Sequence, residues 1–228
     1  EKNMKRWIHR MKLKWALHLG QVDRWKIRMQ QRKNKEREWL NIVDRPVDEA
    51  DLESVKFTFG LDLTRLLGEW WRRNPKQKIE VLDEGTGNST WAQEWMEELG
   101  EKSRYLSVHR TDIRSVREDP GMRPVEMVPP EKIVKHFGKN RFHIIVSHFS
   151  GVAFTPLNRI KAIANIIGAL RPGGHAFFTV WIRNEYVEKQ HNAVFAKVRK
   201  LFPEVTLSMQ RKTSSNGMDY YSVHIHKN

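Results

Sequence analysis

Cysteine is absent from all 228 residues of this chain. That excludes disulfides, thiolate nucleophiles and cysteine-based zinc sites. Long apolar runs are also missing. No stretch of 18 or more apolar residues occurs, so no membrane span is expected. No internal repeat, low-complexity tract or secretory signal pattern is visible. An intracellular setting, cytoplasm or organelle matrix, is expected. The first residue is Glu1 rather than Met, as a processed or trimmed N-terminus would give. Acidic residues are short as well. Only 27 Asp and Glu stand against 41 Lys and Arg, a formal charge of +14. Such a field favours a polyanionic partner, most simply RNA or DNA. The plainer uses of the charge are solubility, or an arm for an acidic protein or membrane surface.

The charge that is present is unevenly placed. Residues 1–40 carry thirteen Lys or Arg and four Asp or Glu. Met4, Ile8, Met11, Trp15, Val22, Trp25 and Met29 recur there at helical spacing. Lys5, Arg6, Lys12, Lys14, Arg24, Lys26, Arg28, Arg32, Lys33 and Lys35 occupy much of the rest. Residues 1–45 therefore read as a basic amphipathic helical arm, interruptible at Gly20. Its stripe would dock and its charged face would track phosphates. Residues 46–77 read as a helical linker region packing on the core. The acidic, proline-bearing run 44–51 is a linker or helix restart. A helix over 61–73 places Leu63, Leu66, Leu67 and Trp70 on one side, and Asn74-Pro75 ends it.

Residues 78–228 show the pattern of an α/β domain. Strands are expected over 79–83, 105–108, 125–128, 142–147 and 175–181. A final antiparallel pair is expected over 204–209 and 219–226. Helices are expected over 88–100, 156–170 and 185–201, with a helical turn or two at 131–137. This alternation predicts a doubly wound, mostly parallel sheet of Rossmann-like kind. His224 and His226 share one strand face, better suited to a surface or nucleic-acid face than to a metal.

The stretch Lys78-Ile79-Glu80-Val81-Leu82-Asp83-Glu84-Gly85-Thr86-Gly87-Asn88-Ser89-Thr90 carries the most information. It reads as a buried strand, a tight glycine turn and a helix start. Gly85 and Gly87 allow angles that a Cβ penalises. Asn88, Ser89 or Thr90 would cap the helix. A ligand could then lie on bare backbone at a helix N-terminus. The turn lacks the spaced triple glycine of dinucleotide folds. Downstream, Leu170-Arg171-Pro172-Gly173-Gly174 leads into a strand.

Together the two motifs resemble those of class I S-adenosylmethionine-dependent methyltransferases, over roughly residues 78–228. The resemblance implies S-adenosylmethionine as cofactor. It implies that Asp83, Gly85 and Gly87 hold the methionine part, with Glu84 and Thr86 in the same loop. The family usually puts a ribose-binding acid at the end of the second strand. His109 stands at that place, and Asp112 would reach it if its loop folds back. His143 stands where the fourth strand often begins with Asp. Ser147 ends that strand, beside the cofactor. The next segment, His148-Phe149-Ser150-Gly151, lacks the Asn/Asp-Pro-Pro-aromatic pattern of amino-directed enzymes. N6-adenine and N4-cytosine methylation are therefore not supported. His148 is the candidate general base, and Phe149 a candidate stacking partner for a base. The leading expectation is a methyltransferase acting on RNA. The alternative is an inactive methyltransferase-like component of a nucleic-acid or ribonucleoprotein assembly. A small-molecule or protein acceptor comes third.

Overall fold

A computed structural model describes residues 50–60, 62–87, 89–112, 122–149, 159–182, 184–214 and 217–228. The expected basic arm, with all ten of its named cations, lies outside the described residues.

The first described helix, α1 (Leu52–Phe59), is the restart after the acidic run. Asp51 caps it by accepting from Ser54 N at 2.7 Å. Gly60, at φ 61°, ends it in the left-handed region. Helix α2 (Leu63–Arg73) starts two residues later than expected, because Asp62 caps it through Arg65 N. It buries Leu63, Leu66 and Leu67, as its spacing predicts.

The sheet is built from β1 (Ile79–Glu84), β2 (Leu106–Asp112), β3 (Val125–Met127), β4 (Phe142–Ser147), β5 (Leu170–Ile182), β6 (Val205–Thr213) and β7 (Asp219–Lys227). Between them lie α3 (Trp91–Leu99), α4 (Ile133–Phe137), α5 (Arg159–Ala169) and α6 (Glu185–Leu201). The strand order is β3-β2-β1-β4-β5-β7-β6. The first five strands pair in parallel, and β7 runs antiparallel between β5 and β6. The doubly wound, mostly parallel sheet and its antiparallel close are as expected.

Both faces are covered, which is why β1 and β4 read as near-continuous apolar runs. On one face Ile79, Val81, Val108 and Val146 pack with Leu52, Val55, Leu67, Trp91 and Trp95. On the other, Leu82, Ile145 and Phe178 pack with Ile133, Ile163, Ile166 and Phe195.

The turn expected before the fifth strand lies inside it. Leu170 pairs with Phe142, and the register then shifts before His175 pairs with Ile144. A Cβ on Gly174 would stand 2.8 Å from Arg171 O and 3.1 Å from Phe142 O. Glycine is required here by close backbone passage, not by a ligand.

Histidines gather under the sheet. His175 stacks between His224 and His226, with ring centroids 5.2 and 4.5 Å away. Trp70 meets His143 and His175 edge-on. Among the described residues no group of three or more His, Cys, Asp or Glu is placed to hold a metal. No described helix is long and apolar enough to cross a membrane.

Burial, first among the causes, pushes His143, His148, His175, His191 and His224 down to about 4. Each imidazole is thus held neutral in the fold and titrates near 6.5 when unfolded. Their stabilisation is complete above about 6.5 and lost as pH falls toward 4. Urea midpoints should decline across that window, and a midpoint constant from pH 7 to 4.5 would contradict it. Gly174→Ala should lower the unfolding free energy by about 2 kcal/mol, the scale of overpacking. Chemical denaturation measures this, and an unchanged midpoint would show that β5 yields freely.

Candidate functional site

Strand β1 ends at the glycine turn, and β2 holds that turn in place. Parallel pairing continues through Asp83 with Arg110 and Glu84 with Thr111. The Thr111 carbonyl then accepts from Gly85 N at 2.7 Å and Thr86 N at 2.9 Å. Asp112 Oδ2 accepts from Gly87 N at 2.9 Å. Gly85 and Gly87 sit at φ 70° and 50°. No described heavy atom lies within 4 Å of where a Gly87 Cβ would stand. The turn is closed beneath by β2 and open above Gly87.

Strand β2 therefore runs to Asp112, beyond the expected end at Val108. The polar string His109-Arg110-Thr111-Asp112 looked like a loop, yet its first three residues are buried. The acid level with the turn is Asp112, and no fold-back is needed. His109 is not brought to the turn. It stands opposite Leu82 in mid-strand, with Nε2 2.9 Å from Glu80 Oε2. Burial lowers its pKa and Glu80 opposes this. His143 likewise belongs to the sheet interior, where its Nδ1 accepts from Glu80 N at 3.0 Å.

Asp83 is buried at the base of the turn. Burial pushes its carboxyl up to about 6, while Thr86, Trp91 and Arg110 pull the other way. The Thr86 hydroxyl accepts from Arg110 Nε at 3.2 Å. Asp83 Oδ2 and the Trp91 indole N–H are buried near one another without closing a well-formed hydrogen bond, and among the described residues neither has another partner. Glu84 points to the fourth strand, accepting from Ser147 Oγ at 2.7 Å. Arg110 escaped sequence reasoning. An arginine in a polar string carries no sign that it will be buried beside a carboxylate.

The start of α3 is not the bare helix end that was expected. Thr90 and Trp91 N–H both donate to Ala50 O, at 3.2 and 3.1 Å. Leu52 N returns a bond to Glu94 Oε2 at 2.9 Å. Thr90 makes no side-chain cap and bonds Glu94 instead. The chain before α1 thus satisfies two of the helix donors that a ligand would otherwise meet.

Past β4, α1 closes on the candidate base. His148 Nε2 lies 3.0 Å from Thr58 Oγ1. Phe59 and Phe149 meet its ring edge-on. With a pKa near 4 it is a neutral and weak base. Phe149 takes φ 50°, which a non-glycine residue adopts only when neighbours enforce it. Its N–H donates to Thr179 Oγ1 at 2.7 Å, and its ring stacks on Trp181 at 4.5 Å. Thr58, Thr179 and Trp181 carried no sequence signal for this end of the sheet. The structure thus gathers Asp83, Glu84, Gly85, Thr86, Gly87, Asp112 and Ser147 at one sheet end, with His148 beside them.

No family model and no curated protein sequence matches the chain. Solved structures do. The CurJ carbon methyltransferase aligns with 71% of this chain, at 11% identity and a TM-score of 0.52. This chain spans about half, 52%, of that one. An S-adenosylmethionine-dependent methyltransferase from Methanosarcina mazei aligns over 73% of this chain and 99% of its own, at 14% identity and 0.46. A 1,6-didemethyltoxoflavin-N1-methyltransferase from Burkholderia thailandensis, with bound S-adenosylhomocysteine, aligns over 72% and 77%, at 16% identity and 0.45. The fold is the Rossmann-like fold of class I S-adenosylmethionine-dependent methyltransferases.

Because Gly87 faces open space, Gly87→Ala should cost only the left-handed strain, about 1 kcal/mol. Thermal and urea denaturation measure it. A loss as large as that expected for Gly174→Ala would mean the turn is packed over.

Proposed function

We propose that this chain is an S-adenosylmethionine-dependent methyltransferase that acts on RNA. The observation that carries the reading is the glycine turn at the carboxyl end of β1, pinned by Thr111 and Asp112 and open above Gly87.

The residues fit the cofactor. Among the described residues Asp83 Oδ2 closes no well-formed hydrogen bond, and a ligand ammonium, directly or through water, would supply one. Asp83, Gly85, Thr86 and Gly87 would hold the methionine part. Asp112, level with the turn, would face the ribose. Glu84 and Ser147 brace the floor between β1 and β4. When bound, the cofactor supplies an electrophilic sulfonium methyl group.

The chain's own task is positioning. In-line placement matters more to methyl transfer than acid–base power does. The weak base His148 is therefore compatible with turnover. RNA is the acceptor best matched to a formal charge of +14. A small-molecule or protein acceptor would leave that charge without a use in the reaction.

A second reading rests on α1. Thr58, Phe59 and Phe149 crowd His148. That arrangement suits a methyltransferase-like nucleic-acid or ribonucleoprotein component that keeps the cofactor turn and has lost turnover.

S-adenosylmethionine at a hundred times its dissociation constant should stabilise the fold by about 2.7 kcal/mol in thermal denaturation. No shift would overturn the methyltransferase reading. A shift without methyl incorporation into RNA would favour the second. Ionised Asp83 is the form that accepts from the ligand, so affinity should rise as pH rises through about 6. Calorimetric titration across pH 5 to 8 checks this, and Asp83→Asn should abolish the dependence along with most of the binding.

A further inference from the structure

Strand register collects positive charge at the amino end of the sheet, the pole opposite the glycine turn. Lys78 precedes β1 and Arg104 lies just before β2, whose first residues Ile79 and Leu106 pair. Val81 pairs with Ile144, so Lys139 and Arg141, just ahead of β4, stand at the same level. Phe142 pairs with Leu170, which brings Arg171. Lys227 arrives from the end of antiparallel β7, with Nζ 2.8 Å from Leu170 O. The order β2-β1-β4-β5-β7 spans four strand spacings, about 19 Å. Lys78, Arg104, Lys139 and Arg141 are exposed, and Arg171 and Lys227 half-buried.

These charges are held without being neutralised. Among the described residues Lys78, Arg104, Lys139 and Arg171 enter no ion pair. Arg141 reaches only Glu80, at 3.5 Å, and His109 shares that carboxylate. Lys227 is fixed by the oxygens of Asn140, Ile167 and Leu170 rather than by a carboxylate. Burial lowers its pKa, Lys139 lowers it further, and Glu204 opposes. Arg171 Nη1 lies 2.6 Å from the ring of His143, which burial and Arg171 keep neutral. Glu101 and Glu204, ahead of β2 and β6, are exposed acids at this end, and Glu97 and Glu98 at the close of α3 are exposed as well.

A self-repelling row costs stability that a polyanion would restore. We propose that this pole is a second nucleic-acid surface, which grips the phosphate backbone of single-stranded RNA away from the glycine turn. Arg104 stands 4.8 Å over the Tyr105 ring, a planar pair against which a base can stack. An acidic protein fits less well, because protein interfaces centre on apolar residues. Among the described residues, Leu201 is the only large exposed apolar residue at this end. The surface does not depend on turnover at the glycine turn, nor on the arm.

The test uses the full chain, a labelled 12-nucleotide single-stranded RNA and fluorescence anisotropy across a salt series. The triple variant Lys78→Glu, Arg104→Glu, Lys139→Glu should bind about tenfold more weakly or worse. Its salt slope should fall by about two units, at about 0.7 per phosphate contact. The control triple Lys161→Glu, Lys189→Glu, Lys197→Glu changes net charge equally and should leave the slope unchanged. The milder triple Lys78→Gln, Arg104→Gln, Lys139→Gln should show a smaller loss in the same direction with an unaltered melting temperature. Equal losses in pole and control triples would overturn the proposal. So would RNA binding unchanged in the pole triple, including a result in which that triple loses only binding to anionic lipid vesicles.

Discussion

The structure depends on one carbonyl group. Thr111 O, at the end of β2, accepts from both Gly85 and Thr86. Asp112 then takes the N–H of Gly87. With these three bonds the turn has no freedom to drift from the sheet. They exist only because β2 stays paired with β1 to the last residue of the strand. That pairing in turn buries Arg110 beside Asp83, and the buried couple sets the electrostatics of the turn. Backbone geometry, side-chain burial and carboxylate pKa are here one constraint seen three ways.

The segment before β1 serves the same site from the other side. Ala50 O caps α3, and Glu94 caps the entry to α1 in return. This exchange seats α1 where Thr58 meets His148. Lys212, from β6, bonds Phe57 O and secures the far end of the helix. The acceptor end of the sheet is thus shaped by a helix distant in sequence from every motif.

The two ends of the sheet are electrostatically unlike. At the carboxyl end, carboxylates are engaged: buried Asp83 by Thr86 and Arg110, buried Glu84 by Ser147, and half-buried Asp112 by Gly87. At the amino end, Lys78, Arg104 and Lys139 are exposed and, among the described residues, enter no ion pair.

Much of this was legible along the chain. Ile144, Ile145 and Val146 are apolar because both faces of β4 are covered, and hydrophobic runs report that directly. Helix α6 and the pairing of β6 with β7 follow from local periodicity and from the Ser214–Gly217 turn. Gly85 and Gly87 announced a backbone conformation that only glycine adopts cheaply. What local pattern could not reveal is which polar residues end up inside. His109, Arg110 and Thr111 look like a loop in sequence, and parallel pairing with β1 makes them strand. Gly174 looks like a turn ahead of a strand, and the passage of β4 makes it a packing glycine inside β5. Asp112, Thr58 and Ala50 acquire their roles from partners 25, 90 and 40 residues away. Sequence alone determined the elements, their order and the glycine turn, because those depend on side-chain spacing and backbone freedom. Tertiary structure alone decided which carboxylate faces the turn and where positive charge collects, because those depend on strand register.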